Sequence, residues 1–176
     1  MTVEEFEEFV LLPENEDKLF EYIGGEAVEV LSRPYDSSIA ARIGAYIGIF
    51  LLNHDLGSVT GEGGGYQVSG ERYIPNVAYI SYSKIIDLPK EGYVPHSPDL
   101  AVELLASDNE PDIELSTIKL SNYLAAGTVV WIVRPEKKTA EVYQPGKPVI
   151  TLHEKDALDG GYVLPGLKIN LKDIFK

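Results

Sequence analysis

The chain has 176 residues, a formal net charge of −13, three histidines and no cysteine. This length suits one hydrophobic core, so we predict a single domain over residues 1–176. The lack of cysteine excludes disulfides, thiolate zinc sites and a cysteine nucleophile, and it is typical of proteins of the reducing cytoplasm. No stretch is apolar for long enough to predict a transmembrane helix, and the first residues do not have the pattern of a signal peptide.

The acidic charge also bears on the partners of the protein. Tight nonspecific binding to nucleic acid requires Lys and Arg side chains that neutralise phosphates, and the balance here argues against it. A nucleic-acid enzyme is still compatible with this charge, because a bound metal ion can offset the carboxylates of such a site. We therefore expect at most modest affinity for DNA and no association with a membrane.

The N-terminal third is predicted to contain a helix, a hairpin and a second helix. Thr2 and Glu5 form the pattern of a capping box, which opens a helix that reaches about Val10. Two apolar segments joined by Gly24-Gly25 predict a β-hairpin. Apolar residues at offsets 0, 4, 7, 8, 11 and 12 from Ile39 predict a longer helix, from around Ser37 to near residues 53–54.

The middle of the chain is predicted to be rich in strands. Short strands at 58–60, about 65–69 and 76–81 are separated by glycine-rich turns, and the glycine-rich stretch 61–65 is interpreted as one of these turns rather than a phosphate-binding loop. Residues 83–97 contain two prolines and a glycine and are predicted to be a long surface loop.

The last part of the chain begins with a strand at Asp99. A helix is predicted over 112–126, and the apolar run 128–133 predicts a strand that is buried on both faces. Strands at about 139–143 and 148–152 form a C-terminal hairpin, and a short strand with a turn of helix closes the chain. This order predicts an α/β or α+β fold with a central mixed β-sheet flanked by helices.

The strand that begins at Asp99 carries the candidate chemistry. Side chains alternate along a strand, so Asp99, Ala101 and Glu103 are predicted to project from one face. Two acids on one side of an apolar strand cost free energy unless a partner such as a divalent cation compensates them. The alternative, that Asp99 is a loop residue after Pro98 and Glu103 faces solvent, is only slightly less favoured by the sequence.

Lys119 is the second candidate. Its spacing from Leu115 and Tyr123 places it on the apolar side of the predicted helix, where it leans toward the sheet. Near the carboxylates, its ammonium could orient an attacking water or stabilise charge on a phosphoryl oxygen. A lysine that only covers apolar surface with its aliphatic stem is an equally good interpretation of the same pattern.

Several segments of the chain resemble a known family, the putative restriction endonucleases. This family is abundant in cyanobacteria and belongs to the PD-(D/E)XK nuclease superfamily. The matching segments are LFEYIGGE at 19–26, IPNVAYI at 74–80, PDLAVELLAS at 98–107, KLSNYLAAGTVVWIV at 119–133 and LPGLKINL at 164–171. Each motif is weak by itself, but their order and spacing are fairly specific, and together they span nearly the whole chain.

The resemblance implies a restriction-endonuclease-like core with the order α-β-β-β-α-β and phosphodiester hydrolysis of DNA that depends on Mg²⁺ or Mn²⁺. It also implies that the two signature acids fall at Asn76 and Glu103, with Asp99 and Glu21 at further acidic positions. The signature lysine would fall at Leu105, so the resemblance assigns its role to Lys119. Many nucleases of this superfamily dimerise, so a homodimer is compatible with the resemblance.

Asn76 departs from the family pattern, in which this position is an aspartate. An amide oxygen can bind Mg²⁺ but lacks the negative charge that makes such a site strong. Three hypotheses therefore stay open. The protein is an active Mg²⁺-dependent endonuclease, a catalytically inactive relative that binds nucleic acid or a protein, or an unrelated acidic hydrolase or interaction domain.

Overall fold

The structure, a computed structural model, describes residues 1–176. Its helices are α1 (Val3–Val10), α2 (Pro34–Asn53), α3 (Glu110–Ala125) and α4 (Leu171–Ile174). Its strands are β1 (Phe20–Ile23), β2 (Glu26–Glu29), β3 (Gly57–Thr60), β4 (Gly65–Val68), β5 (Glu71–Tyr73), β6 (Val77–Ser81), β7 (Tyr93–Val94), β8 (Leu100–Leu104), β9 (Val129–Arg134), β10 (Thr139–Tyr143), β11 (Ile150–Leu152), β12 (Ala157–Asp159) and β13 (Lys168–Asn170). None of the helices has both the length and the apolar character that crossing a bilayer requires.

The central sheet has six strands in the order β11-β10-β9-β8-β6-β3. Strands β3, β6 and β8 pair antiparallel, whereas β9 pairs parallel with β8 after the chain has crossed over through α3. Because α2 precedes β3, the core follows the order α-β-β-β-α-β, and the predicted mixed sheet is confirmed. Strands β10 and β11 add the predicted C-terminal hairpin at one edge.

A second sheet has five strands in the order β2-β1-β5-β4-β7. It starts with the predicted hairpin, whose turn residues Gly24 and Gly25 have φ values of +59° and +88°. Positive φ at both central positions is the geometry that favours glycine in a two-residue hairpin turn. Strands β5 and β7 were not predicted, because three and two residues are too short to show an alternating pattern.

The two faces of the central sheet pack against different partners. Helix α2 and the C-terminal segment cover one face, where Leu100 and Val102 of β8 lie in the largest apolar cluster. Helix α3 and the second sheet cover the other face, where Ala101 packs near Tyr123. The predicted division of β8 into two faces is therefore confirmed. Trp131 is completely buried in the first cluster, as predicted for a core residue.

The helix boundaries differ slightly from the sequence-based ones. Helix α2 begins at Pro34, a few residues before the predicted start, since proline is well suited to the first helical position. Helix α3 begins at Glu110, where the Asn109 side chain caps the helix by accepting a hydrogen bond from Asp112 N. The shift is small, and α3 still presents Lys119 toward the sheet.

Candidate functional site

Three charged side chains from three different elements meet between α3 and the sheets. The ammonium Nζ of Lys119 on α3 lies 2.7 Å from Glu21 Oε1 on β1 and 2.8 Å from Glu103 Oε2 on β8. All three side chains are largely buried, with exposed fractions of 10%, 9% and 16% for Lys119, Glu21 and Glu103. The ammonium therefore bridges two carboxylates that solvent barely reaches.

Each element delivers its side chain for a local reason. Alternation along β8 turns Glu103 away from the face that packs on α2 and toward α3. Helical spacing places Lys119 on the same side of α3 as Tyr123, one turn later. The hairpin strand β1 packs against α3 and brings Glu21 to the lysine, although 98 residues separate the two in the chain.

Further hydrogen bonds hold the two carboxylates in place. Glu21 Oε1 also accepts from the backbone N–H of Ile74, at 2.6 Å. The hydroxyl of Tyr123 donates to Glu103 Oε1, at 2.9 Å, while the lysine takes the other oxygen. Every oxygen of Glu103 therefore has a protein partner, and the geometry of the cluster is fixed from both sides.

Burial and charge act in opposite directions on these groups. Burial raises the pKa of Glu103, and the neighbouring Lys119 charge counteracts part of that effect. Burial by itself would lower the pKa of Lys119, but the charges of Glu103 and Glu21 outweigh it and hold that pKa above its ordinary value. Burial, together with the charges of the same two carboxylates, also raises the pKa of Tyr123. At neutral pH the lysine is therefore charged and the tyrosine is a hydrogen-bond donor.

The cluster lies in a cleft of about 260 Å³. Most of the side chains that line this cleft are apolar and come from β1, β2, β8, β9 and α3. They include Ile23, Val28, Leu115, Val130 and Ile132. An ion-paired group inside an apolar cleft experiences a lower effective dielectric constant than at the surface, which strengthens its interaction with a charged ligand.

Asn76, which precedes β6, also lines this cleft, but its amide is already engaged. Its Oδ1 accepts a hydrogen bond from the backbone N–H of Leu104, at 2.8 Å, and its Nδ2 donates to Glu62 Oε1, at 3.3 Å. The amide oxygen therefore ties the start of β6 to the end of β8. The structure places Asn76 next to Glu103 but does not present its oxygen as a free metal ligand.

The structure does not bring Asp99 to the cluster. Asp99 Oδ2 accepts a hydrogen bond from the backbone N–H of Ser81, at 2.7 Å, and Oδ1 lies 3.2 Å from Lys84 Nζ. Four residues along a strand span about 13 Å, so one ion cannot contact both Asp99 and Glu103. The expectation that the two acids share a site is corrected here, because alternation determines the face of a strand but not the position along it.

Tyr123 is the member of the cluster that had no predicted role in the site. Its position four residues after Lys119 on one helix face was the available signal, but the same spacing is typical of a core tyrosine. The sequence does not show that its hydroxyl reaches Glu103, because this contact depends on how α3 lies relative to β8. The backbone N–H of Ile74, which binds Glu21, leaves no signal in the sequence.

The donors near the lysine suit a divalent cation only in part. No group of three or more His, Asp or Glu side chains is arranged to hold a metal ion. Glu21 and Glu103 supply two carboxylates, and Mg²⁺ is commonly bound by one or two carboxylates with water and substrate phosphates completing its shell. The residues therefore fit a weakly held hard cation at Glu21 and Glu103, with Lys119 as a competitor for the same oxygens.

A family model described as "Putative restriction endonuclease" (Uma2) matches residues 6–172. The chain belongs to this family. Membership in the Uma2 family confirms the resemblance found in the sequence motifs, and divalent metal ions are generally used by proteins with this type of fold.

Comparison with solved structures supports the same fold. The chain is similar to the crystal structure of a putative nuclease belonging to DUF820 from Anabaena variabilis ATCC 29413, with a TM-score of 0.79 and 20% sequence identity. The match covers 99% of this chain and 97% of the other one. At this identity the similarity shows a nuclease-like fold and nothing finer. No curated protein matches the chain.

Proposed function

We propose that the protein is a divalent-metal-dependent endonuclease that hydrolyses phosphodiester bonds of DNA with Mg²⁺ or Mn²⁺. Membership in the Uma2 family, whose model is described as "Putative restriction endonuclease", supports this reaction class. The observation that carries the proposal for this chain is the Glu21–Lys119–Glu103 cluster, in which an ammonium lies within 2.8 Å of two buried carboxylates inside a cleft. This combination of acids and a lysine is typical of PD-(D/E)XK nuclease sites.

Glu21 and Glu103 are the residues that would hold the cation in this proposal. Glu103 is one of the three predicted ligands, and Glu21 takes the place of the other two, Asn76 and Asp99. A bound cation would supply Lewis-acid polarisation of the phosphoryl oxygen. Lys119 orients the attacking water or stabilises charge on the phosphate, and Tyr123 keeps Glu103 in its rotamer by the hydrogen bond to Oε1.

The charge of the cluster sets a requirement for substrate binding. Two carboxylates and one ammonium sum to −1, so these side chains alone repel a phosphate. The protein as a whole carries −13 and repels DNA as well. We therefore expect weak DNA affinity that improves with divalent cation concentration, since the cation reverses the sign of the local charge.

Cleavage of supercoiled plasmid DNA tests the proposal. We expect the wild-type protein to nick the plasmid with Mg²⁺ or Mn²⁺, and the Glu103→Gln variant to show no cleavage above background. Asp99→Asn is the matched control, because it neutralises the carboxylate at the other end of the same strand and should cleave like wild type. Circular dichroism checks that both variants are folded, and absence of cleavage by the wild type with either metal would overturn the proposal.

A second candidate function is a catalytically inactive module that binds nucleic acid or a protein partner. The hydrogen bond from Leu104 N–H to Asn76 Oδ1 favours it, since it removes one oxygen donor from the site. Calorimetry distinguishes the two functions. No heat of Mg²⁺ binding at millimolar concentration, from a protein that unfolds cooperatively, would support the inactive module.

Two further parts of the proposal, the oligomeric state and the cellular compartment, come from the sequence. Many nucleases of this superfamily dimerise to cut the two DNA strands, so we propose a homodimer, which sedimentation velocity tests directly. We also propose that the protein acts in the cytoplasm, as its cysteine-free composition suggests.

A further inference from the structure

The carboxylate of Glu62 lies outside the Glu21–Lys119–Glu103 cluster. Three hydrogen bonds hold it in place. It lies in the turn between β3 and β4 and is half-buried. Ser32 Oγ donates to its Oε1 at 3.0 Å, Ser37 Oγ donates to its Oε2 at 2.8 Å, and Asn76 Nδ2 donates to its Oε1 at 3.3 Å. These donors come from the segment before α2, from α2 itself and from the start of β6, so Glu62 joins three parts of the fold.

The partners of Asn76 determine how its amide is oriented. A carboxylate only accepts hydrogen bonds, so the Asn76 atom that faces Glu62 must be the donor Nδ2. A backbone N–H only donates, so the atom that faces Leu104 must be the acceptor Oδ1. Both hydrogen bonds therefore require the same orientation of the amide, and the flipped orientation would break both.

We propose that Glu62 is a positioning residue that acts on Glu103 through Asn76. The chain of contacts runs from the Glu62 carboxylate to the Asn76 amide, and from that amide to the backbone N–H of Leu104, the neighbour of Glu103. Glu62 fixes the amide of Asn76, and the amide fixes the end of β8 from which Glu103 reaches Lys119. Only the consequence for DNA cleavage rests on the proposed function.

The same geometry makes position 76 selective for an amide. An aspartate there has no donor at neutral pH, and it would place a second carboxylate against Glu62 in a half-buried setting. The nearby charges do not remove this conflict, because Lys119 is taken by Glu21 and Glu103. Asn76 and Glu62 are therefore a matched amide–acid pair, and a carboxylate at position 76 breaks it, whereas an amide at position 62 still accepts from Asn76.

An exchange of the two groups tests the pairing by thermal unfolding at pH 7 without metal. Asn76→Asp should lower the Tm by roughly 5 °C, since it places a second half-buried carboxylate against Glu62 with no donor between the two. Glu62→Gln alone should change the Tm by less than about 2 °C, because its amide oxygen still accepts from Asn76. The double variant Asn76→Asp/Glu62→Gln should recover most of the loss.

Asn170→Asp is the matched control for this exchange. Asn170 Nδ2 donates to Asp173 Oδ2 at 3.3 Å, the same distance as in the Asn76–Glu62 pair, but at an exposed position. Its Tm should stay within about 2 °C of wild type, because solvent screens the two carboxylates. An Asn76→Asp variant as stable as this control would overturn the proposal, and so would a double variant that is no more stable than Asn76→Asp or fails to fold.

Hydrogen exchange measures the positioning effect itself. In Glu62→Ala the amide of Asn76 loses its acceptor, so the Leu104 N–H should exchange roughly fivefold faster or more, although the hydrogen-bond partners of Glu62 are Ser32, Ser37 and Asn76. The N–H of Val102, in the middle of β8, is the internal reference and should keep its wild-type rate. Unchanged protection of Leu104 would contradict the positioning role. Neither measurement depends on cleavage, so a failed nuclease assay leaves this test intact.

Discussion

Asp99 and Glu103, the acids at the two ends of β8, are equivalent in the sequence pattern. In the structure they have different partners and different surroundings. At one end, Glu103 is held by Lys119 and Tyr123 beneath α3. At the other end, Asp99 is held by the backbone N–H of Ser81 and by Lys84, at the sheet margin. The side chains of Lys84 and Asp99 are 30% and 20% exposed, against 10% and 16% for Lys119 and Glu103.

The difference shows what turns a strand carboxylate into part of a site. Both acids satisfy the same alternation, but only Glu103 meets a largely buried lysine from α3 and a second carboxylate from the other sheet. Burial of Lys119 between these two carboxylates strengthens each charge–charge interaction. The Asp99 end has a single ion pair near solvent, where such a pair contributes little to stability.

The largest expected effect comes from removing the lysine at each end. Lys119→Met leaves Glu21 and Glu103 buried without their counter-charge, so we expect a loss of about 3–5 kcal/mol in the free energy of unfolding. Lys84→Met, the matched variant at the Asp99 end, should cost only about 0–1 kcal/mol. Urea unfolding at pH 7 measures both. Equal losses in the two variants would contradict the distinction between the ends.

The loss in Lys119→Met should depend on pH. Without the lysine, burial still raises the pKa of Glu103, and the hydrogen bond from Tyr123 is the remaining contact that counteracts it. A folded carboxyl with a raised pKa holds its proton longer than the unfolded chain does, so stability falls as pH rises above the unfolded value of about 4.3. Most of the difference between wild type and Lys119→Met should therefore disappear by about pH 4.

Urea unfolding of both proteins from pH 4 to pH 8 checks this expectation. Lys84→Met supplies the control series, in which the difference from wild type should stay small at every pH. A constant difference between wild type and Lys119→Met over the whole range would show that the loss comes from packing rather than from unpaired carboxylates.

A smaller effect is expected from the tyrosine at the Glu103 end. Tyr123→Phe removes the donor to Glu103 Oε1 in a fully buried position, and a hydrogen bond to a charged group contributes about 1.5–3 kcal/mol. Tyr143→Phe is the matched control, since Tyr143 donates to Glu141 at 3.4 Å on a partly exposed strand. Urea midpoints at pH 7 should fall clearly for the first variant and hardly for the second. A negligible loss in Tyr123→Phe would show that Lys119 alone holds Glu103.

The elements with a strong local pattern were predicted well. The capping box of α1, the Gly24-Gly25 hairpin, the apolar stripe of α2 and the buried run of β9 all follow from neighbouring residues. Strands β5, β7 and β12 were missed, because segments this short receive their conformation from the strands beside them. The prediction that Glu103 and Lys119 lie near each other followed from two local patterns, alternation and helical spacing.

By itself, the sequence determined the family, the order of the core elements and the faces on which Glu103 and Lys119 lie. Only the tertiary structure decided that Glu21 completes the cluster, that Asp99 stays outside it and that the amide of Asn76 is held by Glu62. Periodicity describes directions over a few residues, whereas these contacts depend on which elements pack together. Glu21 and Lys119 are 98 residues apart in the chain, and no local pattern extends that far.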